Sequence, residues 1–307
     1  MTRLVRKQTM NRNLIEDSQA LLDLPSHAPA PNRRVAMQAA LGVGYAVAAA
    51  PIRAQTAIKT PTEGLTEGEI TLSVNGTQVP VYRAQPAGQK NLPVVLVVSE
   101  IFGVHEYIAD VARRFAKAGY LAMAPELFVR QGDPQSYGEV AKLQAEIIAK
   151  VPDAQVMADL DACVQWAGAN NGNAQRLGIT GFCWGGRITW LYAAHQAQLK
   201  AGVAWYGRIS GAVTPNNPRH PIDIAAQIKA PVLGLYGAAD TGIPVSQVDL
   251  MKQALAAGSG NRAAQASQFV VYPEAPHAFH ADYRATYRPG PAQDGWQRAL
   301  DWFKQYL

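Results

Sequence analysis

Residues 93–98 read Pro-Val-Val-Leu-Val-Val, and no polar side chain interrupts them before Ser99. A strand of this kind has no face to offer water. It is the mark of a central strand in a parallel sheet with helices packed on both sides. The flanking sequence agrees. Apolar residues at helical spacing cover residues 106–117 and stop at Gly119, and residues 120–124 form a second short apolar run. Further strands are expected at residues 177–180, 201–205, 232–236 and 269–272. Helices are expected near residues 137–149, 153–169, 186–197, 245–257 and 296–306. Residues 69–74 and 78–83 alternate polar and apolar side chains around Asn75-Gly76, the pattern of a β-hairpin at a sheet edge. The expectation is one α/β domain, residues 60–307, with a mostly parallel sheet flanked by helices.

The balance of charges narrows the partners. The 307 residues carry a formal net charge of +5. Residues 1–55 hold seven Lys/Arg against three Asp/Glu, so nearly all of the excess lies there. The remainder is close to neutral and offers no basic surface for nucleic acid. Only two cysteines, Cys163 and Cys183, are present, which excludes a disulfide-rich scaffold and an all-cysteine metal site. The expected partner is a small molecule, with no metal and no cofactor.

Residues 1–55 read as an address. Arg33-Arg34 precedes the uncharged, Ala- and Gly-rich residues 35–50, and Ile52-Arg53-Ala54 leads to Gln55. A charged lead, a short apolar stretch and a small residue at the exit are the parts of an export signal, here of twin-arginine type. The apolar stretch is too short for a stable membrane span. This implies a periplasmic or secreted protein delivered by the export machinery, or a cytoplasmic one if the true start lies downstream. Ala36 stands where such signals usually carry a strongly apolar residue.

The strongest chemical signal is Gly181-Phe182-Cys183-Trp184-Gly185-Gly186, where a buried strand ends and a helix begins. This is the setting of the G-x-S-x-G nucleophile elbow with Cys in place of Ser. The turn is tight, and neighbours without a Cβ let strand and helix pass closely. The helix N-terminus favours a thiolate and a developing oxyanion. A small buried cysteine in a Gly-rich turn is the plainer alternative. Asp240 and His277 follow in the order expected of such a triad, each just past a strand where ligand crevices of open α/β sheets lie. His280 is the rival base.

With these residues in hand, the chain resembles the dienelactone hydrolase family from about residue 65 to its end. The resemblance rests on Ser99-Glu100-Ile101-Phe102-Gly103, Pro125-Glu126-Leu127-Phe128, residues 181–186, residues 237–240 and residues 276–279. It implies an α/β-hydrolase fold and cleavage of a small ester or lactone through Cys183, His277 and Asp240 by way of a thioester. Glu100 corresponds to a carboxylate that helps deprotonate the thiol when substrate binds. The oxyanion hole falls on the backbone N–H groups of Ile101 and Trp184, each donor worth ~3 kcal/mol. Arg130 matches the first of two arginines that hold a substrate carboxylate. The second belongs four residues after the histidine, where this chain has Ala281. That departure favours neutral esters, unless His280, Arg208 or Arg284 supplies the charge. Tyr206 is a candidate pocket residue, or an aromatic packed at a strand end.

Three other readings stay open on the sequence. One is a carboxylesterase or peptidase of the same fold. Another is a non-catalytic binding protein on it. The last is a thiol redox protein using both cysteines, although no C-x-x-C pair is present. Export is directly testable. Replacing Arg33 and Arg34 with Lys should retain the protein in the cytoplasm, whereas the unaltered protein should be recovered outside it with an N-terminus near Gln55. Fractionation followed by N-terminal peptide mass spectrometry measures both.

Overall fold

A computed structural model describes residues 57–258 and 260–307. The export reading of residues 1–55 lies outside the described residues. The expected hairpin is present: β1 (Leu65–Val74) pairs antiparallel with β2 (Thr77–Pro86). Asn75 and Gly76 turn it with φ of 49° and 81°, the two left-handed residues of a turn whose twist matches the strands it joins. The other strands are β3 (Leu92–Val98), β4 (Leu121–Pro125), β5 (Gly172–Phe182), β6 (Leu199–Trp205), β7 (Val232–Gly237) and β8 (Gln268–Tyr272). They form one eight-stranded sheet in the order β1-β2-β4-β3-β5-β6-β7-β8. Every pairing from β4 to β8 is parallel. This is the mostly parallel sheet of an α/β-hydrolase.

The apolar run of β3 divides its side chains by the period of two. Val94, Leu96 and Val98 enter one core and Val95 and Val97 the other. Helices α1 (Glu106–Lys117) and, at the end of the chain, Pro289–Tyr306 fill the second core with Ile108, Val111, Phe115, Ala299, Trp302 and Phe303. Helices α2 (Asp153–Ala169), α3 (Trp184–His195) and α4 (Val245–Ala257) cover the opposite face. The sheet is therefore buried on both sides, as the continuous apolar strands require.

Two expectations need correction. The single helix expected over residues 137–149 is broken into 3₁₀ turns at Pro134–Ser136 and Ile148–Lys150 around a short helix, Val140–Glu146. Only Leu143 is buried on that short helix, so little packing holds a longer one together. The closing helix starts at Pro289 rather than near residue 296, because proline suits the first turn, where its missing N–H costs nothing.

Residues 58–60 fasten the start of the described chain onto this frame. The Thr60 N–H and hydroxyl both donate to Asp110 of α1, at 2.6 and 3.2 Å. The Ile58 N–H donates to Asp282 at 3.3 Å. Arg114 bridges the same two buried carboxylates, at 2.6 Å to Asp110 and 2.5 Å to Asp282. One strap thus ties α1 to the stretch that follows His277. Hydrogen bonds to charged groups contribute about 1.5–3 kcal/mol each. A chain that begins at residue 62 should therefore unfold several degrees below one that begins at residue 57, since about 1 kcal/mol corresponds to roughly 2–4 °C in a domain of this size. Calorimetry of the two truncated chains measures the difference.

Candidate active site

The elbow at Cys183 depends on backbone segments approaching more closely than a side chain permits. A Cβ on Gly181 would stand 2.1 Å from the Gly185 carbonyl oxygen, and one on Gly185 would stand 2.3 Å from that of Val98. Both glycines are therefore steric requirements of the turn. Between them Cys183 takes φ 56° and ψ −111°, a strained conformation for a residue with a side chain. Its N–H is anchored to the Trp205 carbonyl at 3.0 Å. Trp184 opens α3, so its N–H has no acceptor within the helix. The contact of Gly185 with the end of β3 also brings Glu100 and Ile101 beside the elbow.

Asp240 and His277 are joined by the same device. A Cβ on Gly237, the last residue of β7, would lie 2.0 Å from the Ala275 carbonyl oxygen. The loops after β7 and β8 are thus pressed together, and Ala239 donates its N–H to that carbonyl at 3.1 Å. Asp240 accepts from the N–H groups of Gly242 and Ile243 through Oδ1, at 2.9 and 3.1 Å. Its Oδ2 lies 2.6 Å from Nδ1 of His277. The Cys183 side chain also acts on the imidazole. Burial opposes a charge on His277, but the facing Cys183 and Asp240 outweigh it and lift its pKa to about 10.

The rival histidine is placed apart from this line. His280 is buried with Nδ1 2.5 Å from the Tyr107 hydroxyl, and its ring packs 4.4 Å from that of Trp205. Burial, with Arg114 adding to it, holds its pKa well below the ordinary value. It is a neutral packing residue rather than a base.

Around Glu100 the structure adds three groups. His105 Nε2 lies 3.0 Å from Oε2, and the Tyr283 hydroxyl lies 3.3 Å from Oε1. Arg284 Nη2 is 3.9 Å from Oε1. Burial pushes the carboxyl upward, but His105, Arg284 and Tyr283 prevail and hold it below its ordinary value. Tyr206 sits at φ 38°, fully buried, with its ring edge-on to His277 at 5.1 Å. Among the described residues its hydroxyl has no hydrogen-bond partner. Sequence reasoning passed over His105 and Tyr283. The left-handed Gly103 between Glu100 and His105 was the signal that the chain turns back there.

The arginines require a correction. Arg130 makes a bidentate pair with the buried Asp159 of α2 at 2.7 and 2.9 Å, and donates to the Val74 carbonyl at 3.2 Å. That is a structural tie between the hairpin and α2, with the guanidinium fork already occupied. Ala281 is fully buried in the second core. Arg284 lies beside Glu100: its side chain is 2% exposed, it stands over the Phe102 and Tyr283 rings, and among the described residues Nε and Nη1 have no partner.

Cys163 and Cys183 are both free thiols. Cys163 lies within α2, where burial pushes its pKa up and leaves it an inert packing residue.

The chain is similar to proteins of known family. Residues 79–307 match the dienelactone hydrolase family. A Methylorubrum extorquens protein with the provisional name carboxymethylenebutenolidase is 55% identical over 276 residues, covering 90% of this chain and 93% of that one. A crystal structure of a provisionally assigned dienelactone hydrolase from Klebsiella pneumoniae is 56% identical, covers 79% of this chain and 99% of that one, and superposes with a TM-score of 0.76. A Bradyrhizobium protein with the provisional name 2-oxo-3-(5-oxofuran-2-ylidene)propanoate lactonase is 31% identical, over 80% of this chain and 97% of that one. The sheet order, the elbow and these likenesses agree: the chain belongs to the dienelactone hydrolase family and is a carboxylic ester hydrolase.

Proposed function

We propose that the enzyme cleaves a small ester or lactone that carries an anionic group, through a thioester on Cys183. The observation that carries this reading is the hydrogen-bonded Asp240–His277 pair, with His277 coupled to the strained Cys183 at the elbow. Asp240 fixes the ring so that Nδ1 faces the carboxylate and Nε2 faces the sulfur. Cys183 attacks the acyl carbon, and the N–H groups of Trp184 and Ile101 receive the oxyanion. His277 protonates the leaving alkoxide and later takes a proton from the water that hydrolyses the thioester. Asp240 stabilises the imidazolium present before the first of these steps and after the second. Neither a metal nor a cofactor takes part in this sequence.

Arg284 supports the anionic substrate. Leaving buried donors unpaired costs roughly 1–3 kcal/mol per group, and Arg284 has two. A carboxylate of the substrate would satisfy them, and the unpartnered Tyr206 hydroxyl offers a further donor. The Bradyrhizobium relative's name describes a lactone with a propanoate group, which fits such a pocket. This reverses the preference for neutral esters that Ala281 suggested. The export signal read in residues 1–55 extends the proposal: the enzyme works on its substrate outside the cytoplasm.

The chemistry and the specificity are separately testable. Cys183→Ala should abolish turnover of lactones and aryl esters, and rapid quenching of unaltered enzyme should yield an acyl adduct on the peptide containing Cys183 by mass spectrometry. Activity that survives in Cys183→Ala overturns the thioester. Arg284→Met should lower kcat/KM for a carboxylate-bearing lactone by about ten- to a hundredfold, the equivalent of one charge-assisted bond. A neutral aryl ester of similar size should change much less, and an equal loss on both substrates would contradict carboxylate recognition.

A further inference from the structure

Hydrolysis of an ester to a carboxylate and an alcohol liberates one proton per turnover near neutral pH. In the reading above that proton starts on the thiol. It passes from Sγ of Cys183 to the Glu100 carboxylate as the thiolate attacks the acyl carbon. The alkoxide departs with the proton of His277, and water restores that proton during deacylation. The acid product returns its proton to the sulfur as the Cys183–acyl bond breaks. The proton left on Glu100 is then the one to be discarded. Glu100 is 2% exposed and cannot hand it to bulk water directly.

Among the described residues, three side chains are hydrogen-bonded or ion-paired to this carboxylate. Arg284 is fully buried and permanently charged, so it cannot take a proton. The Tyr283 hydroxyl is buried and already bears one, and burial raises its pKa well above the ordinary value, so it does not ionise to make room. His105 differs from both. Its Nε2 is 3.0 Å from Oε2 of Glu100, and its side chain is 14% exposed. An imidazole can accept a proton at one nitrogen and release one from the other.

We propose that His105 relays the proton from buried Glu100 to solvent. This rests on the Cys183 reading and adds a second acid–base pair to the site. The ring receives the proton at Nε2 and gives one to water from Nδ1, and exchange with water restores the starting tautomer. The surroundings hold the ring in register for this. Its plane stacks on Tyr107 at 5.9 Å and meets Tyr283 edge-on at 5.0 Å. His105 also caps the start of α1, with its N–H bonded to the Gly103 carbonyl at 3.1 Å. The preceding turn is held by Glu126, whose Oε1 accepts the Val104 N–H at 2.7 Å. The ring is thus fixed at Glu100 through Nε2 while its side chain stays 14% exposed.

His105→Gln tests the relay, because the amide retains a hydrogen-bond donor toward Glu100 but cannot carry a proton. The expected result is a fall in kcat of roughly tenfold or more, with KM changed by less than about twofold, which would separate proton transfer from substrate binding. Added imidazole should restore kcat in a concentration-dependent way, and a solvent deuterium isotope effect should grow in the variant. Thermal unfolding checks that the variant is folded. A His105→Gln enzyme that keeps full kcat overturns the relay, and so does a slow one that imidazole does not rescue. Cys183→Ala is assayed alongside: activity in that variant would overturn the thioester reading and the relay with it, whereas an inactive Cys183→Ala beside a fully active His105→Gln would overturn the relay alone.

Discussion

The site is assembled where polypeptide backbones touch without side chains between them. Gly181 against Gly185 forms the turn that lifts Cys183, and Gly185 against Val98 sets that turn beside the end of β3. Gly237 against the Ala275 carbonyl brings the Asp240 and His277 loops together. A methyl group at any of these contacts would have to displace backbone, which a close-packed sheet resists. The strained φ of Cys183 follows from the same crowding. The surrounding cores over-determine the turn and hold the strain in place.

On this scaffold two charge systems face one another. In the first, Asp240 is buried, is held by two backbone N–H groups and meets His277 at 2.6 Å. In the second, Glu100 lies among His105, Tyr283 and Arg284. Burial alone would drive both His277 and Glu100 toward neutrality. Their neighbours overcome it, and each is biased toward its charged form. The stretch from His277 to Arg284 contributes to both systems, and the strap at residues 58–60 reaches the same stretch through Asp282. Order in this one loop therefore bears on both pairs.

The arginines show how spacing misleads. Arg130 stands in the right place along the chain, yet the buried Asp159 claims it. Ala281 marks a missing arginine by position, yet three residues further on Arg284 stands 3.9 Å from Glu100, with two of its guanidinium nitrogens unpartnered among the described residues. The loop after His277 contains Ala278 at φ 59°, and such a turn shifts which later side chains face the site. Counting residues past a landmark assumes a backbone path that the loop does not follow.

By itself the sequence determined the layered sheet and the order of its chemistry. Apolar runs with no polar face, a hairpin at Asn75-Gly76 and a glycine-bracketed cysteine are local features, and local sterics and burial dictate what they become. They sufficed to set Cys183, Asp240, His277 and Glu100 at strand ends. Only the tertiary structure decided which histidine meets Asp240, which arginine is spent on an ion pair, and which groups surround Glu100. Those outcomes turn on contacts between residues far apart in the chain. His105 and Tyr283 are 178 positions apart yet both reach the same carboxylate. Partner choice among buried charges depends on burial and distance together, and neither is encoded in any short stretch of sequence.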